Sequence, residues 1–309
     1  MENIKFVIEK SARIEKLVNN LYEKMPEIES ARGILVTESY KATEALPIIR
    51  RRSAAFAHIL ENLPIVIRDN ELIVGSATVA PRGCQVFPEY SYEWLEAEFD
   101  TVETRAADPF YISEKTKAEL REAYPYWKGK TCSDLAKANM STEAYEAFTV
   151  HGMFTPGNYF YNGIGHVNVN YKKVLEKGYK GIIAEAQAAL DKLEISDGDF
   201  VKRSNFLNAV IESCEAVILY ARRYAALAKD MAKKEKCPVR KAELEKIATT
   251  CARVPEFPAT DFQEACQSFW FVQLLLQVES SGHSISPGRF DQYMYPYYKK
   301  DFDAGKITL

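Results

Sequence analysis

The chain has no apolar run that approaches the roughly 20 residues needed by a transmembrane helix. Its start, MENIKFVIEKSARIEKL, carries charged residues throughout, which excludes a secretory signal peptide. Neither sign of charge is scarce, since 40 lysines and arginines stand against 43 aspartates and glutamates, for a net charge of -3. This balance predicts no general attraction to nucleic acids or anionic membranes. These absences predict a cytoplasmic protein.

Paired metal-ligand and disulfide motifs are also missing. The six cysteines lie far apart with no CxxC pair, and without a secretory signal their even number is weak evidence for disulfides. Cys214 and Cys266 fall in apolar helical patterns, so we predict that they are small buried hydrophobic residues. The histidines are widely separated along the chain: His58, His151, His166 and His283. A metal site is therefore not expected.

The common motifs of hydrolases and nucleotide-binding proteins are absent as well. There is no GxSxG nucleophile elbow, no P-loop and no GxGxxG that opens a helix. The GIGH segment lacks the strand-to-helix setting of a dinucleotide fingerprint. His283 and Ser284 are adjacent, and adjacent side chains rarely aim at each other as a base and its nucleophile.

Helical periodicity is what the sequence does contain, along most of its 309 residues, of which 47% are hydrophobic. We expect one large, mostly helical unit, because no repeat or linker interrupts the pattern. Ser91, Ser113 and Ser141 are the expected N-caps of three of the helices. The predicted helices cover residues 4–21, 29–43, 47–62, 91–103, 113–123, 133–140, 142–148, 172–195, 199–234 and 238–253.

A last helix, EACQSFWFVQLLLQVES, is apolar nearly all round and is therefore predicted to be buried. Thr260 and Gln263 form a capping-box pattern in front of it. Strands are predicted in one place, where Ile65-Val66-Ile67 and Leu72-Ile73-Val74 flank Asp69-Asn70 in the manner of a β-hairpin. The segment that follows, TVAPRGCQVFPEY, is predicted to be an irregular loop.

Two non-helical stretches are candidates for function. The first, VHGMFTPGNYFYNGIGHVNVNY at 150–171, contains four glycines and an aromatic trio, and a long loop between helices is more often functional than not. The second, ESSGHSISPGRFDQYMYPYY at 279–298, follows the buried helix and turns at Pro287-Gly288. The alternative for the second stretch is a helix connection whose tyrosines fill a core. Arg289, Asp291 and the tyrosines after them are predicted to brace the turn and to carry no chemistry.

If the two stretches converge on one pocket, they offer His166, His283 and Ser284. Neutral histidine and serine hydroxyl groups can both donate and accept hydrogen bonds, which suits a neutral polyhydroxylated substrate. A cation would require a carboxylate, and a carboxylate would require an arginine. The alternative for each histidine is a buried, hydrogen-bonded imidazole; we assign His58 to that role, and His151 stays undecided.

Three segments, RRSAAFAHILENLPIVIRDNELIVGS, GNYFYNGIGHVNVNYKKVL and ESSGHSISPGRFDQYMYPYY, carry a family resemblance. In this order they resemble the N-terminal part of the glycyl radical enzymes, the pyruvate formate-lyase-like family. Within that family they are most similar to the cobalamin-independent glycerol and 1,2-propanediol dehydratases. The resemblance covers nearly the whole chain. It implies an α/β, helix-rich fold that forms the N-terminal part of a ten-stranded α/β barrel.

The resemblance also implies that the radical groups lie outside this chain. The thiyl-forming cysteine of the family stands in a GCVE-type motif and the radical glycine in a C-terminal RVxGY-type motif, and neither occurs here. None of the six cysteines is therefore assigned a catalytic role. We expect residues 1–309 to be an incomplete pyruvate formate-lyase-like domain, inactive alone. No bound cofactor is expected, since a radical-SAM activating enzyme would install the glycyl radical on the missing C-terminal part.

By motif match, the resemblance assigns the substrate hydroxyls to His166 in GIGHV and to His283 and Ser284 in SGHSIS. The implied reaction removes a hydrogen atom from C1 and then the C2 hydroxyl as water, which yields an aldehyde. A protonated histidine would act as general acid, and the sequence does not choose between His166 and His283. Choline lyases have an acidic residue before the matching histidine, where Ile164 and Gly165 stand here. Pyruvate formate-lyase has an arginine where this chain has His166, so an uncharged substrate is expected.

The expected partners are a small polyol substrate, the activating enzyme and a second copy of the full-length chain in a homodimer, with no nucleic acid and no membrane. Two alternatives stay open. One is another lyase of the family, formate acetyltransferase-like or cleaving a carbon–carbon or carbon–sulfur bond. The other is a catalytically silent helical binding or scaffold protein descended from the family.

Overall fold

The computed structural model describes residues 11–153, 165–282 and 284–308. Helices dominate these residues, and no helix among them is long and apolar enough to cross a membrane. The helices are α1 (Ala12–Tyr22), α2 (Ala31–Ala42), α3 (Ile48–Asn62), α4 (Glu93–Ala97), α5 (Glu114–Ala123), α6 (Cys132–Ala138), α7 (Thr142–Thr149), α8 (Tyr171–Leu190), α9 (Phe200–Lys234), α10 (Pro238–Cys251), α11 (Phe262–Ser280) and α12 (Phe290–Asp303).

Most predicted helices are confirmed within a few residues, and the local chemistry explains where they begin. Ser113 and Ser141 are N-caps, because their hydroxyl oxygens accept the backbone N–H of Thr116 at 3.1 Å and of Ala144 at 3.2 Å. The third predicted cap, Ser91, is wrong: α4 begins after it, and its cap is Tyr92.

Two further helix predictions need correction. The predicted helix 91–103 is shorter in the structure: α4 ends at Ala97, and a single 3-10 turn follows at Val102–Thr104. The Thr260–Gln263 capping box is also wrong. Asp261 is the N-cap of α11, and its Oδ1 accepts the Glu264 N–H at 2.7 Å.

The predicted hairpin is wrong, although its turn is present at Asn70, whose φ is 68°. The flanking runs form no strands. At Val74 in the second run, a side chain of α11 takes the place of a cross-strand partner. Gln267 accepts the Val74 N–H at 2.9 Å and donates to the Val74 carbonyl at 2.7 Å. The Tyr224 hydroxyl likewise accepts the Ser76 N–H at 3.0 Å.

Two strands form elsewhere: one at the start of the predicted helix 29–43 and one in the predicted irregular loop. β1 (Glu27–Glu29) pairs in parallel with β2 (Gly83–Gln85), and Ile28 stands opposite Cys84. Ile28 is buried, and each of the two strands has only three residues. Strands this short carry too little period-2 pattern to be recognised from sequence.

The core is built around α9, which packs against α3, α8 and α10. On its inner face Tyr220 and Tyr224 are fully buried, with ring centroids 5.2 Å apart. Both rings also contact Phe271 of α11, at 5.9 and 5.8 Å. Burying a large apolar side chain contributes about 1.5–3 kcal/mol, so this cluster ties α11 firmly to α9.

Helix α8 kinks at Gly178, whose φ of 66° and ψ of 169° are accessible to glycine and costly for other residues. The kink releases two N–H groups from the helix, and they donate to the segment after α10. Tyr179 donates to the Pro255 carbonyl at 2.9 Å, and Lys180 donates to the Glu256 carbonyl at 3.0 Å. The backbone therefore approaches closely at this point.

We expect Gly178→Ala to lower the free energy of unfolding by about 2–4 kcal/mol. A Cβ at this position would lie 2.3 Å from the Glu256 carbonyl oxygen, in addition to the strained backbone. The matched control is Gly129→Ala, where φ is also positive but no heavy atom lies within 4 Å; strain alone should cost about 1–2 kcal/mol there. Equal losses in urea unfolding of the two variants would contradict the role of the close approach.

Candidate functional site

The second candidate stretch begins where α11 ends, in a series of left-handed residues. Ser281, Gly282 and Ser284 have φ values of 62°, 71° and 58°. Left-handed backbone costs a residue other than glycine about 1–2 kcal/mol, so packing must hold this loop in place. α11 provides such a support, since it is buried along most of its length.

The two candidate stretches lie side by side in the structure. The N–H of Ser286 donates to the Val167 carbonyl at 3.0 Å, and Ser286 forms a parallel bridge with Asn168. Gly288 rests against the Asn168 side chain so closely that a Cβ would lie 2.6 Å from its Oδ1. The convergence predicted from the sequence therefore holds for residues 165–170 and 284–288.

Each of these segments carries one of the predicted site residues. His166 has a φ of 57° and Ser284 a φ of 58°, and both are exposed. Such backbone outliers in residues other than glycine cluster at functional sites, which makes the pair a candidate site. His283 lies outside the described residues, as do residues 154–164 with the aromatic trio.

A partly buried polar side chain on α11 links the two segments. Gln273 of α11 donates from Nε2 to the Ile285 carbonyl at 3.2 Å, and its Oε1 accepts a hydrogen bond from the Tyr171 hydroxyl. Tyr171 begins α8 directly after the first segment and is 1% exposed. One residue of α11 thus sets the position of both segments.

Arg289 and Asp291, which follow the second segment, form an ion pair with each other. Arg289 donates from Nε and a terminal nitrogen to the two carboxylate oxygens of Asp291, at 3.2 and 3.1 Å. The hydrogen bond from Arg289 lowers the pKa of Asp291 to about 2, so the carboxylate stays charged at neutral pH. Next to it, the Tyr293 hydroxyl donates to the Pro287 carbonyl at 2.8 Å, and burial raises the pKa of Tyr293 to about 12. These contacts agree with the predicted bracing of the turn.

Two arginines that the sequence did not assign to the site hold the carboxyl end of α11. Arg32 donates from Nε to the Val278 carbonyl at 2.7 Å, and it forms a buried ion pair with Glu89. Arg52 donates from Nε to Glu279 Oε1 at 2.8 Å and from a terminal nitrogen to the Glu279 carbonyl at 2.8 Å. Arg52 belongs to the basic run Arg50-Arg51-Arg52 of α3, and its side chain packs against the end of α11.

The remaining histidines have weaker claims to a site. His58 is half-buried, and its Nε2 lies 3.0 Å from Glu38 Oε2, which agrees with a structural role. His151 is exposed next to residues that the structure does not describe. Among the described residues, no group of three or more histidine, cysteine, aspartate or glutamate side chains is placed to hold a metal ion.

The cysteines occupy ordinary positions in the fold. Cys214 and Cys251 are buried, which raises the pKa of each thiol to about 12. Cys266 is partly exposed, so its predicted burial is only partly right, and burial still raises its pKa to about 11. The other three are exposed: Cys84, Cys132 and Cys237.

Comparison with known proteins places this arrangement in one family. The pyruvate formate lyase-like family model matches residues 6–309. A structure on 1,2-propanediol dehydration in Roseburia inulinivorans aligns with a TM-score of 0.95 and 59% identity, covering 97% of this chain and 36% of that one. The glycerol-bound B12-independent glycerol dehydratase of Clostridium butyricum aligns with a TM-score of 0.93 and 51% identity, covering 97% and 38%.

A curated relative with another activity is also similar. The isethionate sulfite-lyase of Desulfovibrio desulfuricans is 37% identical over 308 residues, which cover 96% of this chain and 37% of the relative. This chain thus spans a little over a third of the length of the relatives that it matches. The helix-rich fold, predicted as the N-terminal part of the glycyl radical enzyme barrel, is confirmed. The chain belongs to the pyruvate formate lyase-like family, the family of the glycyl radical enzymes.

Proposed function

We propose that this chain is part of a glycyl radical diol dehydratase that converts glycerol or 1,2-propanediol to an aldehyde and water. In the proposed site His166, His283 and Ser284 bind the substrate hydroxyls. The observation that carries the proposal is the hydrogen bond between Ser286 and Val167, because it holds the His166 and Ser284 segments side by side. The solved structures with 59% and 51% identity, which concern 1,2-propanediol dehydration and glycerol dehydration, support it.

The chemistry divides between this chain and groups outside it. In the proposed reaction, a cysteine thiyl radical outside this chain, generated from the glycyl radical, would take a hydrogen atom from C1 of the substrate. The residues of this chain act on the oxygen atoms. Ser284 and a histidine orient the two hydroxyls, and a protonated histidine donates its proton to the C2 hydroxyl as the C–O bond breaks. The oxygen then leaves as water, which costs much less than expelling hydroxide. The C1 hydroxyl gives up its proton, and the remaining carbon radical would take a hydrogen atom back from the cysteine thiol, which completes the aldehyde.

Charge favours a neutral substrate over the alternatives. The sequence has no aspartate or glutamate between Phe154 and Lys173, so the first stretch offers no carboxylate to a cation such as choline. Arg289, in the second stretch, is already bonded to Asp291. A sulfonate or carboxylate substrate would have to compete with that pair for the guanidinium.

A substrate panel tests the proposal. The complete enzyme that carries this chain would be activated anaerobically by its radical-SAM partner and given glycerol, 1,2-propanediol, choline, pyruvate and isethionate. We expect aldehyde from the two diols, with kcat/KM at least about 100-fold above that for any other substrate, because the hydrogen-bonding groups of the site match hydroxyls.

The other outcomes separate the alternatives. Sulfite release from isethionate, or cleavage of choline or pyruvate with the diols unchanged, would replace the diol dehydratase with another lyase of the family. No turnover of any substrate, despite a glycyl radical signal in electron paramagnetic resonance, would favour a substrate outside the panel. Failure to form the radical in every preparation would favour the silent scaffold.

A further inference from the structure

The side chain of Arg52 binds the carboxyl end of α11, and the proposed chemistry gives this arginine no role. Arg52 reaches from α3 and makes three hydrogen bonds there. Two of them go to Glu279, one to its side chain and one to its backbone carbonyl, both at 2.8 Å. The third joins a terminal nitrogen of Arg52 to the Tyr90 hydroxyl at 2.7 Å.

The electrostatics of this site favour a permanently charged guanidinium. Burial would lower the pKa of Arg52, but the charge of Glu279 and the neighbouring Tyr90 raise it above its usual value. A cation at the end of a helix also stabilises the unsatisfied carbonyls and the negative end of the helix dipole. The guanidinium of Arg52 is therefore charged at every pH at which the protein is folded.

The contact between Arg52 and Glu279 lies at the point where α11 gives way to the loop. Glu279 is followed at once by Ser280 and by the left-handed residue Ser281, and the loop to Ser284 begins there. Because the loop continues directly from the helix end, a rotation of that end would move the residues that follow it. Arg32 holds backbone carbonyls at this helix end, and Arg52 holds both the side chain and the carbonyl of Glu279, so Arg52 adds the side-chain contact that limits that rotation.

We infer that Arg52 is a positioning residue, which acts through Glu279 to place residues 284–286 beside the His166 segment. The inference rests on the proposed function, since the loop carries Ser284 and His283. Arg52 does not act on the substrate itself. Arg52 would instead determine how the two segments are aligned, and the hydrogen bond from the Ser286 N–H to the Val167 carbonyl depends on that alignment.

The chain offers a matched control on the same helix. Arg50 lies two residues before Arg52 in α3, and its terminal nitrogen is 3.7 Å from Glu212 on α9, away from the loop. The side chains of Arg50 and Arg52 are 29% and 30% exposed. Arg50→Gln therefore removes a similar charge from a similar environment without touching α11.

The first test needs no activity. In Arg52→Gln the amide hydrogen of Ser286 should exchange at least about 10-fold faster than in the unaltered chain, because its hydrogen bond depends on the loop position. Arg50→Gln should leave that rate unchanged. Arg52→Lys keeps the charge but not the forked geometry, so an intermediate rate is expected. Should Arg52→Gln fail to fold, Arg52→Lys and Glu279→Gln carry the same comparison.

The second test uses the complete, activated enzyme. Arg52→Gln should lower kcat/KM for glycerol by about 10- to 100-fold, since a misplacement of about 1 Å at a reacting group costs this much. Most of the loss should be in KM, with Tm lowered by less than about 5 °C. A purely structural role would instead lower Tm and leave the KM of the folded fraction unchanged.

The two proposals fail on different observations. An unchanged Ser286 exchange rate in Arg52→Gln overturns the positioning role, whatever the enzyme acts on. So does an exchange rate that rises while kcat/KM stays within about twofold, a change of under 0.5 kcal/mol. If the unaltered complete enzyme leaves both diols unchanged, the proposed function fails, and the kinetic test is repeated with the substrate that the panel identifies.

Discussion

Replacing His166 by glutamine in the complete enzyme should lower kcat/KM for glycerol about 10²- to 10⁴-fold if His166 is the general acid. Glutamine keeps a hydrogen-bond donor near the C2 hydroxyl but cannot deliver a proton. The left-handed backbone of His166 lies at the junction of the two segments, next to Val167, whose carbonyl accepts the Ser286 N–H. A large loss is expected there even though the side chain is exposed in this chain.

The pH profile separates the acid from a residue that only binds. A general acid must be protonated, so kcat/KM of the unaltered enzyme should fall as the pH rises through the pKa of that group. The variant that lacks the acid should lose this basic limb. The same substitution at His283 should retain the limb if His166 is the acid, and lose it if the roles are reversed.

The control for both variants is His58→Gln. His58 is half-buried on α3 and pairs with Glu38, away from the two loops. Its replacement should leave kcat/KM within about twofold, as expected for a group that contacts no reacting atom. A loss below about threefold for both His166→Gln and His283→Gln would remove the histidines from the proposed chemistry.

The second large effect is on stability. Arg32→Gln should lower the free energy of unfolding of the chain by about 3–5 kcal/mol, because it leaves the Glu89 carboxylate buried without its partner. The side chains of Arg32 and Glu89 are 2% and 5% exposed. The guanidinium also lies 3.7 Å over the Phe87 ring. Urea unfolding followed by circular dichroism measures the loss.

Two comparisons sharpen this result. Removing both charges in Arg32→Met with Glu89→Leu should recover part of the loss, since a buried ion pair exchanged for apolar residues is often neutral. Recovery should be incomplete, because the carbonyls of Val278 and Glu279 still lose a donor. The exposed pair Lys115–Glu119 is the control, and Lys115→Ala should cost under about 0.5 kcal/mol. A loss for Arg32→Gln no greater than this would contradict the buried-charge argument.

The helices could be predicted from the sequence because their causes are local. The N-caps Ser113 and Ser141 and the first-turn proline Pro238 act within one turn of the chain, and they mark helix ends in any context. The two loops could be found for a related reason, since glycine and proline punctuate the chain locally. That the two loops lie side by side depends on how α8 and α11 pack. The sequence suggested this proximity only because His166, His283 and Ser284 suit one substrate.

What the sequence could not supply are the contacts between distant positions. Gln267 replaces the expected strand partner of Val74, and nothing near residue 74 indicates it. Arg52 stands in a basic run that is typical of a solvated face, yet it binds the end of α11. A side chain that satisfies a remote backbone leaves no periodic signal in its own segment, so such residues appear only in three dimensions.

The backbone bonds of the 64–76 segment also bear on aggregation. Its β-branched runs, Ile65-Val66-Ile67 and Leu72-Ile73-Val74, have the composition of strands that stack between molecules. While α9 and α11 are folded, Gln267, Trp270 and Tyr220 donate to the carbonyls of Val74, Gly75 and Ser76, which a neighbouring strand would otherwise use. Intermolecular pairing through residues 74–76 therefore requires those two helices to detach first, so a partly unfolded state would seed it more readily than the native chain.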